Sequence, residues 1–393
     1  MPRVQSFELF HVALPLKKAI KHASHERAAS DSLVVRVGLD DGSVGFGEGV
    51  PRDYVTGETI ESTFAVLGKV DLGRVVSNVR SAVDLVERLE AWELPETLED
   101  PRGMAGNAAR CALELALFDA YGKAFGVSMG SCLAWVTDSE FLLTPTATPV
   151  RYSGAITAET LRKERVSAWK MRLYGFHQVK IKVGVEGQDD PARLQILRSI
   201  LGSKMDIRID ANEAWSADTL LDRVAPLRTF RPTALEQPVP HAEVDRLAEL
   251  RPILGIPVML DESLCGFPDA LNAVGRGNAD ILNVRLSKCG GPIKSLRIVR
   301  LARMAGLDVQ LGCHPGETGL LSAAGRHFAS NVTNLRYVEG SYDRHVLAKN
   351  LTTPDITFGY GGRAQPLIGP GLGVEVDPQA LADLTVKRLE ISM

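Results

Sequence analysis

The chain has 393 residues, 45% apolar and 24% charged, with a formal net charge of −3; that length suits two domains and the composition is that of a globular protein. The near-neutral balance, without a basic tract, argues against a nucleic-acid groove, and no apolar run approaches the roughly 18 residues of a membrane span. Five scattered cysteines (Cys111, Cys132, Cys265, Cys289, Cys313), never spaced C-x-x-C, argue against a disulfide framework or a zinc cage and fit a cytoplasmic setting.

The opening stretch MPRVQSFELFHVALPLKK alternates like a strand and lacks the apolar core of a signal peptide. Residues 1–60 read as antiparallel strands, SFELFHVAL and SLVVRVGLDDGSVGFGEG, with DDGS as a hairpin turn. Residues 76–126 read as helices; NAARCALELALFDAYGKAFG has helical apolar spacing and ends on Gly126. Strands followed by helices predict an α+β domain. After about residue 140 short apolar strands alternate with amphipathic helices. The strands are HQVKIKVG (177–184), DIRIDANEAW (206–215), ALEQPV (234–239), IPVMLDES (256–263), DILNVRLS (280–287), DVQLGC (308–313) and LRYVEG (335–340). This repeat predicts a (β/α) barrel. An open doubly wound sheet is the competitor, but no strand runs into G-x-G-x-x-G. The turn-rich tail IGPGLGVEVDPQALADLTVKRLEISM reads as a return segment.

Barrel active sites lie at the C-terminal ends of the strands. There, Lys180 and Lys182 share one face of the second strand, Asp210 and Asn212 one face of the third. Glu236 ends the fourth strand and Asp261 the fifth; Asn283 and Arg285 end the sixth, and Cys313 and His314 the seventh. One strand-end acid alone would as readily cap a helix or pair with an arginine. Three from consecutive strands would repel unless a cation lay between them, and hard oxygen donors suit Mg²⁺. Two neighbouring ammonium groups disfavour the charged form, so one of Lys180 and Lys182 could act as a base. The proton would be one α to a carboxylate, because Mg²⁺ stabilises the resulting ene-diolate. A Schiff-base aldolase using Lys182 would not need the acids.

The order K-x-K (Lys180, Lys182), D-x-N (Asp210, Asn212), EQP (Glu236), DES (Asp261) and NVRLSKCGG resembles the enolase superfamily, muconate lactonizing enzyme subgroup. GFGEGVPRDYVTGET and ARCALELALFDAYGK resemble that family's capping domain. The resemblance implies a modified (β/α)7β barrel (131–365) under an α+β cap built from residues 1–130 and the return segment 366–393. It implies Mg²⁺, with Mn²⁺ as a substitute, on Asp210, Glu236 and Asp261. It also implies that Lys182 is the base, with Lys180 beside it, and that cap segments 15–27 and 50–59 close over a small carboxylate substrate. A homo-oligomer is expected.

The departure is Arg285, where racemases and epimerases of this subgroup place a second lysine. Arginine has no acceptor and keeps its proton. It suits a clamp on a carboxylate or enolate, or a counter-charge for a nearby acid. This favours one-base chemistry, cycloisomerization or syn-elimination of the muconate lactonizing type. A dipeptide or N-acylamino acid epimerase or racemase is the alternative. Two residues keep it open: Lys288, which strand alternation puts off the inward face, and His314, in a stretch about one residue longer than the family's. Glu317 is a candidate substrate contact, as is Tyr54 on the cap. Lys17, Lys18, Lys21, Arg27 and Arg52 make the cap segments basic, which would suit an anionic substrate.

Overall fold

The computed structural model describes residues 1–21, 26–95, 100, 102–157 and 160–392. The first strands are long: β1 (Val4–Lys21), β2 (Glu26–Leu39) and β3 (Val44–Gly49). Cap segment 15–27 is therefore no free loop: β1 and β2 pair out to Lys21↔Glu26. Residues 22–25 and the side chain of Lys21 lie outside the described residues. The last strand of the chain (Thr385–Ile391) adds antiparallel to the other edge of β1, giving four strands in all.

Against β3 lies α1 (Asn107–Phe125), buried on every side through most of its length. Alternation in GFGEG puts Gly45, Gly47 and Gly49 on the face towards this helix. A Cβ on Gly47 would lie 2.0 Å from the Ala112 carbonyl oxygen, and one on Gly49 2.0 Å from that of Ala108. Glycine on the strand and alanine every fourth residue on the helix let the two backbones touch, a spacing that any larger side chain would open.

The barrel has eight parallel strands in consecutive order: β4 (Gly154–Ile156), β5 (Gln178–Lys182), β6 (Asp206–Asp210), β7 (Leu235–Glu236), β8 (Val258–Leu260), β9 (Ile281–Val284), β10 (Asp308–Leu311) and β11 (Tyr337–Val338). The Ser153 N–H donates to the Val338 oxygen (2.8 Å), bringing the two end strands together. β4, only three residues long, has no apolar run to announce it. Ala234, Met259, Ile281 and Tyr337 fill the interior as a separate apolar layer; the polar residues lie above it. Among the described residues no helix is long and apolar enough to cross a membrane.

Three buried cap glutamates each cap a helix. Glu58 accepts from Ala108 N (2.9 Å) at the start of α1. Glu114 accepts from Ile293 N (2.9 Å) at the start of α2 (Pro292–Met304). Glu48 accepts from Thr318 N (3.0 Å) and Leu321 N (3.2 Å) at the start of α3 (Gly319–Asn331). Helix N-termini favour such anions, yet burial raises all three: Glu48 and Glu114 to about 7, Glu58 to about 8. Two of them, Glu48 and Glu114, bind cap to barrel. A third tie is Asn107, whose Nδ2 donates to the Cys265 (2.7 Å) and Lys288 (2.8 Å) oxygens.

Candidate active site

Strand register brings the predicted residues to one inward face. Lys180 lies opposite Arg208 and Lys182 opposite Asp210; Asp210 lies opposite Glu236. Glu236 is level with Met259, so alternation turns Asp261 the same way; Ile281, level with Met259, does so for Asn283 and Arg285. Just past the acids the backbone turns sharply: Asn212, Glu213 and Gln237 have φ of 42°, 64° and 34°. Non-glycine residues hold such angles only where their surroundings enforce them, a frequent property of active sites.

The two lysines part company. Lys180 Nζ sits 3.1 Å from Glu339 Oε1, 3.3 Å from Glu236 Oε1 and 3.4 Å from Asp210 Oδ2. Burial alone would lower its pKa, but Glu236, Glu339 and Asp210 hold it well above the ordinary value. Lys182, half-buried, is lowered by burial and by the Lys180 charge, against the pull of Asp210 and Glu262. One lysine stays charged, and only the other has its pKa lowered towards that of a base.

Asp261 is gripped from two sides. Arg285 Nη2 donates to its Oδ2 and comes within 4.0 Å of Glu236 Oε1. Lys288 Nζ lies 2.6 Å from Oδ1 and donates also to the Asp261 and Asn283 backbone oxygens. Burial would raise the Asp261 pKa, but Arg285 and Lys288 hold it well below the usual range. Lys288 thus touches a site acid without sharing the inward face of Arg285. β9 stops at Val284 and the turn that follows folds the buried Lys288 back under Asp261.

His314, Glu317 and Arg285 meet around a cavity of about 10 Å³, which Glu339 and Tyr152 also line. The His314 N–H donates to Glu317 Oε2 (3.0 Å). Burial, together with Arg285, Arg52 and Lys288, lowers the His314 pKa well below its ordinary value. Burial, aided by Glu48 and Asp343, raises that of Glu317 well above its own. Tyr54 lies half-buried on the cap, where its N–H donates to Asp53 Oδ1 (2.8 Å). The basic cap residues are largely committed to the protein itself. Arg52 is buried and donates to the Pro51 (2.7 Å) and Asp31 (2.9 Å) oxygens and to Ser30 Oγ (2.8 Å). Lys17 reaches the Arg344 oxygen (2.5 Å) and Arg27 that of Pro315 (3.4 Å).

Several site residues escape the sequence reading. Glu339 ends β11 in VEG, and inspecting the end of the last strand as well would have found it. Arg208, one turn of the pleat below Asp210, pairs with Glu339 and donates to Ser153 Oγ (3.0 Å). Gln237 of EQP accepts from Asp261 N (2.9 Å) and Ser263 N (3.1 Å), fixing the end of β8. Asn212 Nδ2 donates to Glu262 Oε1 (3.1 Å), and Asn283 Nδ2 to Glu236 Oε1 (3.0 Å).

As placed, no three His, Cys, Asp or Glu side chains among the described residues are grouped to hold a metal. The donor chemistry nevertheless fits a hard divalent cation. Asp210, Glu236 and Asp261 supply only carboxylate oxygens, and Glu236 Oε2 is buried without a hydrogen-bond partner, a state that calls for a further ligand.

Comparison with known proteins agrees with this architecture. Residues 5–133 match the N-terminal domain of mandelate racemase / muconate lactonizing enzyme, and residues 163–380 the enolase C-terminal domain-like family. A hydrophobic dipeptide epimerase of Enterococcus faecalis is 25% identical, covering 93% of each chain. Muconate cycloisomerase 1 of Rhodococcus opacus is 29% identical, covering 97% of this chain and 98% of its own. An N-succinyl-L-Arg/Lys racemase of Bacillus cereus is 27% identical, covering 98% of both; its crystal structure superposes with a TM-score of 0.85. The chain belongs to the mandelate racemase / muconate lactonizing enzyme family of the enolase superfamily, and is an enzyme of its isomerase group.

Proposed function

We propose that this protein epimerizes or racemizes an amino-acid derivative, a dipeptide or N-acylated amino acid, by removing the proton α to a carboxylate with Lys182. The observation that carries the proton step is the contrast between the two lysines. Lys182 has a lowered pKa at the mouth of a carboxylate row, while Lys180 is held charged by Glu236, Glu339 and Asp210. Epimerases and racemases among the relatives support the substrate class. Asp210, Glu236 and Asp261 would hold Mg²⁺, or Mn²⁺ in its place; when bound, the ion stabilises negative charge on the substrate carboxylate. Arg285 keeps its proton and so moves none. Glu317, whose pKa burial raises and which shares a cavity with Arg285, would be the donor on the other face.

A second reading has a specific observation behind it. With arginine in place of a second lysine, one-base cycloisomerization or syn-elimination needs only Lys182. Incubation with Mg²⁺ in D₂O, over a panel of N-acylated L-amino acids, L,L-dipeptides and cis,cis-muconate, separates the two. We expect α-proton exchange with loss of configuration, absent in Lys182→Ala. Lactone formation from muconate, or exchange with full retention, would replace the first reading by the second.

A further inference from the structure

Three cations, Lys180, Arg285 and Lys288, already face the three acids proposed to hold the metal, and they are not equally fixed. Lys288 is wholly buried and tied to Asp261 by both a side-chain and a backbone oxygen (2.6 Å each). Lys180 is shared among three carboxylates, one of which, Glu339, is not proposed as a ligand. Arg285 rests on Asp261 Oδ2, with Glu236 at 4.0 Å, and its Nε is buried without a partner.

We infer that Arg285 is an internal cation that competes with the divalent ion for Asp261, so that metal loading and release of the Arg285 guanidinium are one coupled event. This rests on the metal-site reading above. A divalent ion beside a guanidinium on the same carboxylate meets like charge in a poorly solvated place, where repulsion is strong. One of the two must yield, and Arg285 is the cation with fewest ties. Its stem packs against Gly312, where a Cβ would crowd Arg285 Cγ at 3.1 Å, so the stem meets no side chain at that position. The neighbouring cavity offers a receiving carboxylate, Glu339. Once off Asp261, the fork is available to an anionic group of the substrate. A metal-free enzyme would thus hold its carboxylate clamp closed on itself.

The test is calorimetric titration of Mg²⁺ into EDTA-stripped wild type, Arg285→Gln and Arg285→Lys, with thermal melts of each protein with and without Mg²⁺. We expect Arg285→Gln to bind Mg²⁺ at least about tenfold more tightly than wild type and to gain more melting temperature from it. Arg285→Lys, which keeps the charge but loses the fork, should fall between them. Equal or weaker binding by Arg285→Gln, with Mg²⁺ binding intact in wild type, overturns the competition alone. Absence of binding in all three overturns the metal site as well.

Discussion

Lys288 holds Asp261 by both ends: its ammonium lies 2.6 Å from the carboxylate and 2.6 Å from the backbone oxygen of the same residue. A lysine after the strand thus fixes an acid on the neighbouring strand. Removing one member of a buried pair leaves a charge without its partner, which typically costs about 3–5 kcal/mol. Lys288→Met should lower unfolding free energy by that order in urea titration. Unchanged stability would show that Arg285 alone suffices for Asp261.

The proton step has a pH signature. Lys182 must be neutral to accept a proton, so α-proton exchange should rise with pH and level off below the ordinary lysine value of about 10.4. The lowered Lys182 pKa sets that direction. Deuterium incorporation followed by NMR from pH 6 to 10 checks it, with Lys182→Ala flat throughout. A rate that falls with pH would remove Lys182 as the base.

Glu317→Gln keeps the size of the side chain and removes its transferable proton. Epimerization should fall by about 10²-fold or more, the scale of a lost general acid. Exchange on the Lys182 face should persist. Chiral chromatography alongside NMR distinguishes the two, and equal loss of both would assign Glu317 a merely positional role.

Glu48, Glu58 and Glu114 predict how stability responds to pH. Their folded pKa values of about 7, 8 and 7 lie above the ordinary 4.5. Between pH 4.5 and about 8 the folded state therefore keeps protons that the unfolded state gives up. Stability falls as pH rises through this window and flattens above it, each group contributing on the order of 3 kcal/mol. Melts from pH 5 to 8.5 should show the decline, and Glu58→Gln should reduce its slope.

Two glycines test the packing argument with opposite signs. Gly47→Ala drives a methyl group to 2.0 Å from the Ala112 oxygen and should destabilise by about 1–3 kcal/mol or more. Gly275, in helix Phe267–Arg276, has nothing within 4 Å of a Cβ; Gly275→Ala should stabilise by about 0.4–1 kcal/mol. Equilibrium denaturation measures both.

Much of this site is legible without coordinates, because a strand shows its chemistry by alternation and a barrel gathers strand ends. Lys180, Lys182, Asp210, Glu236, Asp261, Asn283 and Arg285 all follow from that. What escapes it follows other rules. β4 is too short to bear a pattern. Lys288 returns through a turn, where period two no longer applies. Arg52 belongs to an apparently basic loop but is spent on backbone oxygens. Nor does K-x-K reveal which lysine is base and which is counter-ion, since that depends on Glu339, 159 residues beyond Lys180. One-base chemistry has Arg285 alone in its favour, whereas the relatives weigh towards epimerases and racemases.

The ties made by Asn107, Glu48 and Glu114 bear on protein engineering. A chimera joining this cap to another barrel through the segment between residues 133 and 163 would look clean in an alignment. It would still sever a carboxamide from the turn that positions Lys288 and strip two helices of their N-terminal acceptors. The transplantable unit is therefore the cap together with the starts of α2 and α3 and the CGG turn, pieces far apart in the gene. Libraries that shuffle by contiguous blocks would lose function here for reasons unrelated to substrate choice.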